Sequence, residues 1–218
     1  MKTQADDEGR FLLINKPLRW TSFDVVNKLR FRLKIKKIGH AGTLDPLASG
    51  LLIICVGKMT KRIEEFMGLE KEYTGKFLLG KTTPSYDLET EVSEEKDISG
   101  LTDEMIHEAV RPFIGTISQL PPLHSAIRIG GKRAYEFARK GTDIELKPRE
   151  VQIHKFEITS IALPEVSFRI VCSKGTYIRS IARDFGGELK VGAYLSALCR
   201  TRIGPFLLSD ALEVDQVE

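Results

Sequence analysis

The stretch Gly39–Gly50 combines side chains that could do chemistry with a backbone suited to close approach. It holds three glycines and one proline, together with His40 and Asp45. Glycine relaxes and proline fixes the backbone dihedral φ, so these residue types predict a loop of defined shape. The imidazole and the carboxylate are the groups suited to acid–base or nucleophilic chemistry. Because an aspartate before a proline is also a common turn former, spacing alone leaves both roles open for Asp45.

The composition is that of a soluble globular protein, with 42% hydrophobic and 29% charged residues in 218. No apolar run is long enough to span a membrane, and the polar segment 1–10 lacks the apolar core of a signal peptide. The three cysteines lie far apart, without a histidine at ligand spacing, so we expect reduced thiols. We therefore expect a cytoplasmic protein that binds no membrane and no metal and needs no cofactor.

Charge is unevenly distributed along the chain, although the net charge is only +3. Residues 27–40 contain six Lys or Arg and no acid, and residues 124–149 contain seven Lys or Arg against three acids. Residues 87–108 contain nine Asp or Glu against one lysine. Such segregation is typical of a protein with a charged binding face, and solvated helix surfaces are the alternative interpretation.

The elements that must position the loop are predicted from capping signals and apolar periodicity. Thr21 and Asp24 have capping-box spacing, which predicts a helix that begins at Thr21 and ends near Leu33. The apolar–basic alternation of Leu29–Lys36 is a competing strand signal. The uninterrupted apolar run Leu51–Val56 predicts a central strand directly after the loop.

Strands and helices are predicted elsewhere in no regular alternation. Further strands are predicted at Phe11–Ile14, Tyr73–Leu79, Val151–Ile161 and Val166–Cys172, and Leu195–Ile203 fits a strand or a short helix. Further helices are predicted at Thr102–Phe113 and Thr176–Leu189, and shorter ones after caps at Thr60 and Ser209. Another helix is predicted to follow a Gly130-Gly131 turn and to end at Lys140. The irregular order predicts an α+β fold with a mixed, largely antiparallel central sheet flanked by helices.

The segment Gly75–Thr82 matches the P-loop pattern G-x-x-x-x-G-K-[ST], but its physical context argues against nucleotide binding. The intervening Lys-Phe-Leu-Leu favours a strand over a phosphate-cradling loop. Pro84 disfavours the helical conformation at Thr83, where the P-loop helix should continue. We therefore interpret the match as coincidental.

Six motifs, in order along the chain, resemble those of one enzyme family. They are Leu13-Ile14-Asn15-Lys16-Pro17 with Thr21-Ser22, Gly39–Gly50, Lys71-Glu72-Tyr73, Gln119-Leu120-Pro121-Pro122 with Ser125-Ala126, Ser173-Lys174-Gly175-Thr176-Tyr177-Ile178-Arg179, and Arg200-Thr201-Arg202-Ile203-Gly204. The set spans Phe11 to Phe206 and resembles the TruB family of tRNA pseudouridine synthases. The order and extent of the motifs distinguish this resemblance from a chance match to one of them.

The resemblance implies an RNA pseudouridine synthase, an isomerase that converts the T-loop uridine at position 55 of tRNA to pseudouridine. In that reaction the C1′–N1 glycosidic bond breaks, the base turns over and a C1′–C5 bond forms. Asp45 corresponds to the family's nucleophile and Tyr177 to its active-site tyrosine. Arg179 corresponds to the arginine that pairs with the catalytic aspartate.

The resemblance also implies three substrate-binding residues. His40 corresponds to the histidine beside the displaced nucleotides, and Tyr73 to the aromatic residue that stacks on the target base. Leu198 falls where the family places an apolar residue over that base. Since the detached base must stay bound while it rotates, an aromatic and an apolar wall suit the reaction.

The chemistry of isomerisation fits these residue types. A carboxylate can attack a sugar or pyrimidine carbon and form a covalent intermediate, which splits one difficult step into two. A hydrolytic glycosidase instead uses two carboxylates placed about a water, and no second acid stands in a comparable motif. Flipping the target base out of its stack costs a few kcal/mol, which phosphate contacts of the basic stretches Lys28–Lys37 and Arg128–Arg149 would offset.

Expectations for organisation and partners follow from the same resemblance. It implies one catalytic domain over residues 11–218 behind a polar tail 1–10, without the C-terminal PUA-type domain that many relatives carry. The expected partner is the T-stem-loop of tRNA, and a monomer is expected. Asp87, kept in the segment Thr82–Thr90, and His124, where relatives often carry tyrosine, have no assigned role. Two alternatives stay open: a non-catalytic tRNA-binding or tRNA-folding protein on the same scaffold, and a pseudouridine synthase of ribosomal RNA.

Overall fold

The computed structural model describes residues 9–123, 125, 128–129, 132–133 and 146–217. The chain divides into two compact units, the first formed by Met1–Thr74 with Ala197–Glu218 and the second by Gly75–Ser196. The expected single catalytic domain over residues 11–218 stays a prediction. Residues 1–8 of the expected polar tail, His124, the predicted Gly130-Gly131 turn and residues 134–140 of the helix predicted behind it lie outside the described residues. At the start of that predicted helix, Lys132–Arg133 instead form a short strand.

Strands and helices follow one another irregularly. In chain order the described strands are β1 (Arg10–Lys16), β2 (Ile38–His40), β3 (Ala48–Val56), β4 (Lys71–Leu79), β5 (Lys81–Thr82), β6 (Glu94–Glu95), β7 (Gly115–Gln119), β8 (Arg128–Ile129), β9 (Lys132–Arg133), β10 (Arg149–Ala162), β11 (Glu165–Cys172), β12 (Ala193–Ile203), β13 (Phe206–Leu207) and β14 (Leu212–Glu213). The described helices are α1 (Ser22–Leu33), α2 (Ile63–Gly68), α3 (Asp103–Glu108) and α4 (Ile178–Glu188), and 3-10 turns cover Gly57–Arg62, Arg111–Phe113, Leu208–Asp210 and Val214–Gln216. The chain passes from one unit to the other within β4 and within β12.

The first unit contains a mixed sheet built on β3. Its strands lie in the order β14-β1-β3-β12, with β2 also paired to β3 and β13 to β12. β1 runs antiparallel to β3 along its whole length. β12 runs parallel to β3, with Leu198 opposite Ala48 and Arg200 opposite Gly50. Since Ala48–Gly50 is also the end of the Gly39–Gly50 loop, β12 borders that loop.

β3 is the central strand that its apolar run predicts, because both of its faces are buried. Leu52, Ile54 and Val56 lie in one apolar cluster with Val25, Val26 and Leu29 of α1. The alternate residues Leu51, Ile53 and Cys55 lie in a second cluster with Phe66 of α2. A strand between two helical layers needs apolar residues at every position, which explains the lack of alternation in the sequence.

The second unit is built on an antiparallel sheet and a phenylalanine core. Its strands follow the order β4-β11-β10-β7, and β10 is antiparallel to both β11 and β7. The rings of Phe77 and Phe168 stack with centroids 4.1 Å apart. Phe185 of α4 packs against Phe77 and against Phe156. The prediction of an α+β fold with a mixed, largely antiparallel sheet flanked by helices is confirmed.

Helix α1 confirms its capping signal. The Thr21 hydroxyl accepts from the Asp24 N–H, and the Asp24 carboxylate accepts from the Thr21 N–H at 2.8 Å, which completes a capping box. The helix ends at Leu33, and Lys34 adopts the left-handed conformation with φ +54°. The competing strand signal in Leu29–Lys36 forms no strand: Leu29 and Ile35 are buried, whereas Phe31 between them is 87% exposed.

Other helix boundaries differ from the prediction. Helix α3 stops at Glu108, well before Phe113, because Pro112 follows and the chain continues as a 3-10 turn. Helix α4 begins at Ile178, since the preceding residue has an extended backbone. The predicted cap at Thr60 is wrong: its hydroxyl donates to the Gly57 carbonyl inside a 3-10 turn.

The remaining ambiguous segments resolve as follows. Leu195–Ile203 belongs to strand β12, and Ser209 lies inside a 3-10 turn without capping it. The P-loop match is coincidental, since its interior residues lie on β4 and the short strand β5 follows where a helix would be required. Among the described residues, no helix is long and apolar enough to cross a membrane.

The pairing of β3 with β12 depends on Gly50. Its φ is +104°, and a Cβ built there would lie 2.4 Å from the Arg200 carbonyl oxygen. We predict that Gly50→Ala lowers the free energy of unfolding by about 3 kcal/mol or more, through backbone strain plus overpacking. Urea denaturation measures the loss. Gly68→Ala is the control, because nothing lies within 4 Å of its added methyl, and a stable Gly50→Ala protein would contradict the assigned close approach.

Candidate active site

The Gly39–Gly50 loop joins β2 to β3 and presents Asp45 at its turn. β2 pairs with β3 up to His40 opposite Ile54, and the Ala41 N–H then donates to the Ile53 carbonyl at 2.8 Å. The Ala48 N–H donates to the Asp45 carbonyl at 3.0 Å, which closes the turn. Asp45 itself is half-buried. The loop therefore starts on β2 and ends on its paired strand β3, and Asp45 lies between the two.

Arg200 clamps this loop from inside the protein. Its side chain is 1% exposed, although it carries a full positive charge. Nε donates to the Leu51 carbonyl at 2.8 Å, Nη2 to the Gly42 carbonyl at 3.2 Å and Nη1 to the Thr43 carbonyl at 3.5 Å. These carbonyls come from both sides of Asp45 along the chain, so one guanidinium fixes the two arms of the loop. In the sequence, Arg200 is the first residue of the last motif, and it was not predicted as a site residue.

The residues on either side of Asp45 are also held by backbone contacts. The buried hydroxyl of Ser22, in the first turn of α1, accepts from the Leu44 N–H at 2.8 Å and donates to the Leu44 carbonyl at 3.2 Å. The Arg19 N–H donates to the Pro46 carbonyl at 2.7 Å. Rotation of the Asp45 backbone is thereby restricted, which pre-organises the direction of its carboxylate.

Lys16 supplies a buried cation near Asp45. It is fully buried and donates to the carbonyls of Pro17 at 2.9 Å and Trp20 at 2.6 Å. Burial lowers the pKa of Lys16 to about 8, the charge of Asp45 opposes that fall, and the charge of Arg200 adds to it. Asp45 therefore lies in the field of two buried cations, neither of which was predicted as a site residue.

Three of the predicted site residues meet around this loop. His40 ends β2, and burial followed by the charge of Arg200 lowers the pKa of its imidazole, which favours the neutral form. Leu198 is half-buried on β12 and lies opposite Ala48, just after Asp45. The pairing of β2, β3 and β12 thus gathers His40, Asp45 and Leu198. Tyr73 lies on β4 in the same unit and is buried, with 9% of its surface exposed.

In the second unit Tyr177 is fixed through its backbone. Tyr177 occupies the N-cap position of α4 and has an extended backbone. The fully buried amide of Gln119 accepts from the Tyr177 N–H at 2.8 Å and donates to the Tyr177 carbonyl at 3.1 Å. One side chain on β7 therefore replaces a missing capping bond and fixes where α4 begins.

Arg149 covers the ring of Tyr177. Its guanidinium lies 4.6 Å from the ring centroid and donates to the Gly175 carbonyl. The turn before α4 requires glycine at 175, where φ is +81°. The tyrosine is thus held at its backbone by one side chain and at its ring face by another.

Arg179 forms a buried ion pair with Asp87. The Arg179 Nε and the Asp87 Oδ2 are 3.6 Å apart, and the two side chains are 4% and 7% exposed. The Arg179 Nη1 also donates to the Ser85 carbonyl at 3.3 Å. The Asp87 Oδ1 accepts from the Glu89 N–H at 2.9 Å, so both carboxylate oxygens are engaged. Asp87 had no assigned role in the sequence, and the structure places it as a partner of Arg179.

The expected pairing of Arg179 with Asp45 stays a prediction, because these two residues belong to different units. The Thr90 hydroxyl accepts from the Ser85 N–H at 3.1 Å and so stabilises the turn that carries Asp87. Among the described residues, no group of three or more His, Cys, Asp or Glu side chains is placed to hold a metal ion.

The fold resembles that of a solved structure, and a family model matches much of the chain. A solved structure described as a Cbf5-Nop10-Gar1 complex superposes with TM-score 0.74 at 30% identity, over 96% of this chain and 54% of that chain. This chain thus spans about half the length of that structure's matched chain. The family described as TruB family pseudouridylate synthase (N terminal domain) matches residues 30–178.

Two curated relatives match almost end to end. The tRNA pseudouridine synthase B of Flavobacterium johnsoniae is 54% identical, over 97% of this chain and 95% of the relative. The protein of the same name from Phocaeicola vulgatus is 53% identical, over 95% of this chain and 91% of the relative. The chain belongs to the TruB family of pseudouridylate synthases, and the non-catalytic alternative is not favoured.

The lowered pKa of Lys16 makes stability depend on pH. The folded protein releases the Lys16 proton near pH 8, whereas the unfolded chain keeps it up to the ordinary value of 10.5. Because the unfolded state binds more protons in this interval, stability rises with pH. We predict that the unfolding free energy of the wild type, relative to Lys16→Met, increases by roughly 1–2 kcal/mol between pH 7 and 9.5.

Urea denaturation of both proteins at the two pH values measures this difference. The exposed Lys58→Met variant serves as the control and should track the wild type. A wild-type advantage that falls with rising pH would mean that the buried site favours the charged form of Lys16.

The amide of Gln119 gives a second test. We predict that Gln119→Leu lowers the free energy of unfolding by about 1–3 kcal/mol, because the Tyr177 N–H loses its partner. Thr116→Val, which removes an exposed hydrogen bond from the same strand, should change it by less than about 0.5 kcal/mol. Equal effects of the two changes would show that Gln119 does not fix the start of α4.

Proposed function

We propose that the protein is a tRNA pseudouridine synthase that isomerises the T-loop uridine at position 55, with Asp45 as the nucleophile. The observation that carries the proposal is the fixed position of this one carboxylate, on a loop whose two arms are clamped by Arg200. The names of the relatives in F. johnsoniae and P. vulgatus support tRNA as the substrate. Family membership supports pseudouridine formation as the reaction.

The proposed reaction begins with attack of the Asp45 carboxylate on the flipped nucleotide, at C1′ or at the pyrimidine ring. The C1′–N1 bond breaks, the base rotates while bound, C1′ bonds to C5, and the bond between Asp45 and the nucleotide breaks. The C5 proton then leaves and N1 gains a proton, so the atoms balance without water or a cofactor. Lys16 and Arg200 would stabilise the negative charge of Asp45 before attack and after its release.

The remaining predicted site residues take the roles that their motifs imply. Tyr177 is the candidate proton carrier at C5, and its fixed backbone would hold the hydroxyl at one place. Arg179 would orient the Asp45 carboxylate, and Asp87 would in turn position Arg179. Their approach to Asp45 is part of the proposal.

The base-binding wall is the other part of the site. Tyr73 would stack on the target base, Leu198 would pack over it, and His40 would lie beside the displaced nucleotides. A neutral His40 suits this role, because it can donate and accept hydrogen bonds at bases without a fixed charge. We further propose that the protein acts as a monomer in the cytoplasm and binds the T-stem-loop.

Removal of the Asp45 carboxylate tests the proposal directly. We predict that Asp45→Asn forms no pseudouridine, because an amide cannot act as the nucleophile, while the Kd for tRNA changes by less than about tenfold, or ~1.4 kcal/mol. Asp103→Asn, an exposed acid in the first turn of α3, is the control for loss of a carboxylate. Normal turnover by Asp45→Asn would refute the assignment.

A further inference from the structure

The outer face of α1 exposes two aromatic side chains. Phe31 is 87% exposed and Phe23 is 58% exposed, whereas the opposite face buries Val25, Val26 and Leu29 in the core. Phenylalanine that faces solvent on a helix gains nothing from folding and often marks a binding surface. Neither ring is needed for the packing of α1.

One cation lies beside the Phe23 ring, and another lies at the end of the helix. The guanidinium of Arg30 lies 5.9 Å from the centroid of the Phe23 ring and donates to the Asn27 side chain at 2.8 Å. Lys34 is exposed at the end of the helix. At 100° per residue, Phe23 and Arg30 fall within about 20° of one line along the helix, and Phe31 lies about 80° from Phe23.

The Asp24 carboxylate lies in the first turn of the same helix, where Arg30 and Lys34 outnumber it. The Asp24 carboxylate accepts both the N–H and the hydroxyl of Thr21 in the capping box. Asp215 lies on the adjacent side, 3.3 Å from Lys28 and 3.7 Å from Arg32. The face formed by Phe23, Arg30, Phe31 and Lys34 therefore presents aromatic rings and positive charge together.

We propose that this aromatic face of α1 binds unpaired nucleotides of the substrate tRNA outside the T-stem-loop; this rests on the proposed function. Exposed aromatic rings stack on bases, and interleaved cations contact the backbone phosphates. A protein partner would need complementary acids of its own, whereas every RNA segment brings phosphates. Charge complementarity therefore favours RNA as the occupant.

The position of the face excludes the target nucleotide. α1 touches the Asp45 loop at its first turn, through Ser22, and Phe31 lies roughly 14 Å further along the axis. Both rings are exposed to solvent, whereas Val25, Val26 and Leu29 of the same helix are buried. The paired T-stem offers no free base faces, and the proposal assigns the stacked nucleotides to an unpaired part of the tRNA other than the T-loop.

Kinetics on two RNAs test this proposal. The RNAs are full-length unmodified tRNA and an isolated T-stem-loop hairpin, and the variants are Phe23→Ala, Phe31→Ala and the double change. Alanine favours the helix and both rings are exposed, so the variants keep the fold. The double variant should raise KM for full-length tRNA about fivefold or more, with kcat unchanged and both constants unchanged on the hairpin.

Matched controls separate stacking from charge. Val92→Ala removes an exposed apolar side chain from acidic surroundings and should have no effect on either RNA. Lys34→Gln should reduce the steepness of the salt dependence for full-length tRNA by about one unit, whereas Phe31→Ala should weaken binding equally at every salt concentration.

Several outcomes would overturn the proposal. If the double variant raises KM equally on the hairpin, the face binds the hairpin itself. If KM changes on neither RNA, the face does not bind RNA. A wild-type dimer that the double variant abolishes would assign the face to a second copy of this chain. If the wild type forms no pseudouridine in either RNA, the proposed function fails, and fluorescence anisotropy with the same RNAs and variants still decides whether the face binds RNA.

Discussion

The first unit depends on one buried cation. The guanidinium of Arg200 has almost no access to water, so its charge is compensated by the carbonyls that it binds. Those carbonyls belong to the two arms of the Asp45 loop, and the same residue pairs with Gly50 through its backbone. Folding of β12 against β3 and shaping of the loop are therefore one event. The proposed attack by the Asp45 carboxylate would require such a preformed position.

In the second unit, side chains rather than a clamped loop hold the predicted site residues Tyr177 and Arg179. Tyr177 is fixed by the amide of Gln119 at its backbone and by Arg149 at its ring. Arg179, further along α4, is held by the buried carboxylate of Asp87. Buried ion pairs contribute little net stability, since desolvation offsets most of their attraction. The Arg179–Asp87 pair instead fixes a geometry, because Asp87 and the Ser85 carbonyl hold the Arg179 guanidinium in one direction.

Local signals in the sequence predicted much of the fold. The capping box at Thr21, the uninterrupted apolar run of β3 and the inward face of α4 each follow from short-range rules, and each is present. The boundaries that differed, at α3 and at the start of α4, depend on Pro112 and on the tertiary bond to Gln119. A contact made by a residue far away in the chain leaves no periodic trace in the sequence.

In the candidate site, too, residue type and motif could be recognised in the sequence, whereas tertiary contacts could not. Asp45 could be singled out by residue type, and its family role by the surrounding motif. Arg200 and Ser22 hold the loop through backbone carbonyls and amides. Every residue offers such backbone groups, so the sequence does not show which side chains bind them. Asp87 was visible as an acid but not as a partner of Arg179, because the two lie far apart in sequence.

Chemical mapping of pseudouridine in unmodified tRNA, after incubation with the purified protein, tests the central claim most directly. The claim is that a clamped Asp45 isomerises one uridine of the T-loop. The expected result is pseudouridine at position 55 and at no other uridine. Pseudouridine elsewhere in the tRNA, or none at all, would contradict the account.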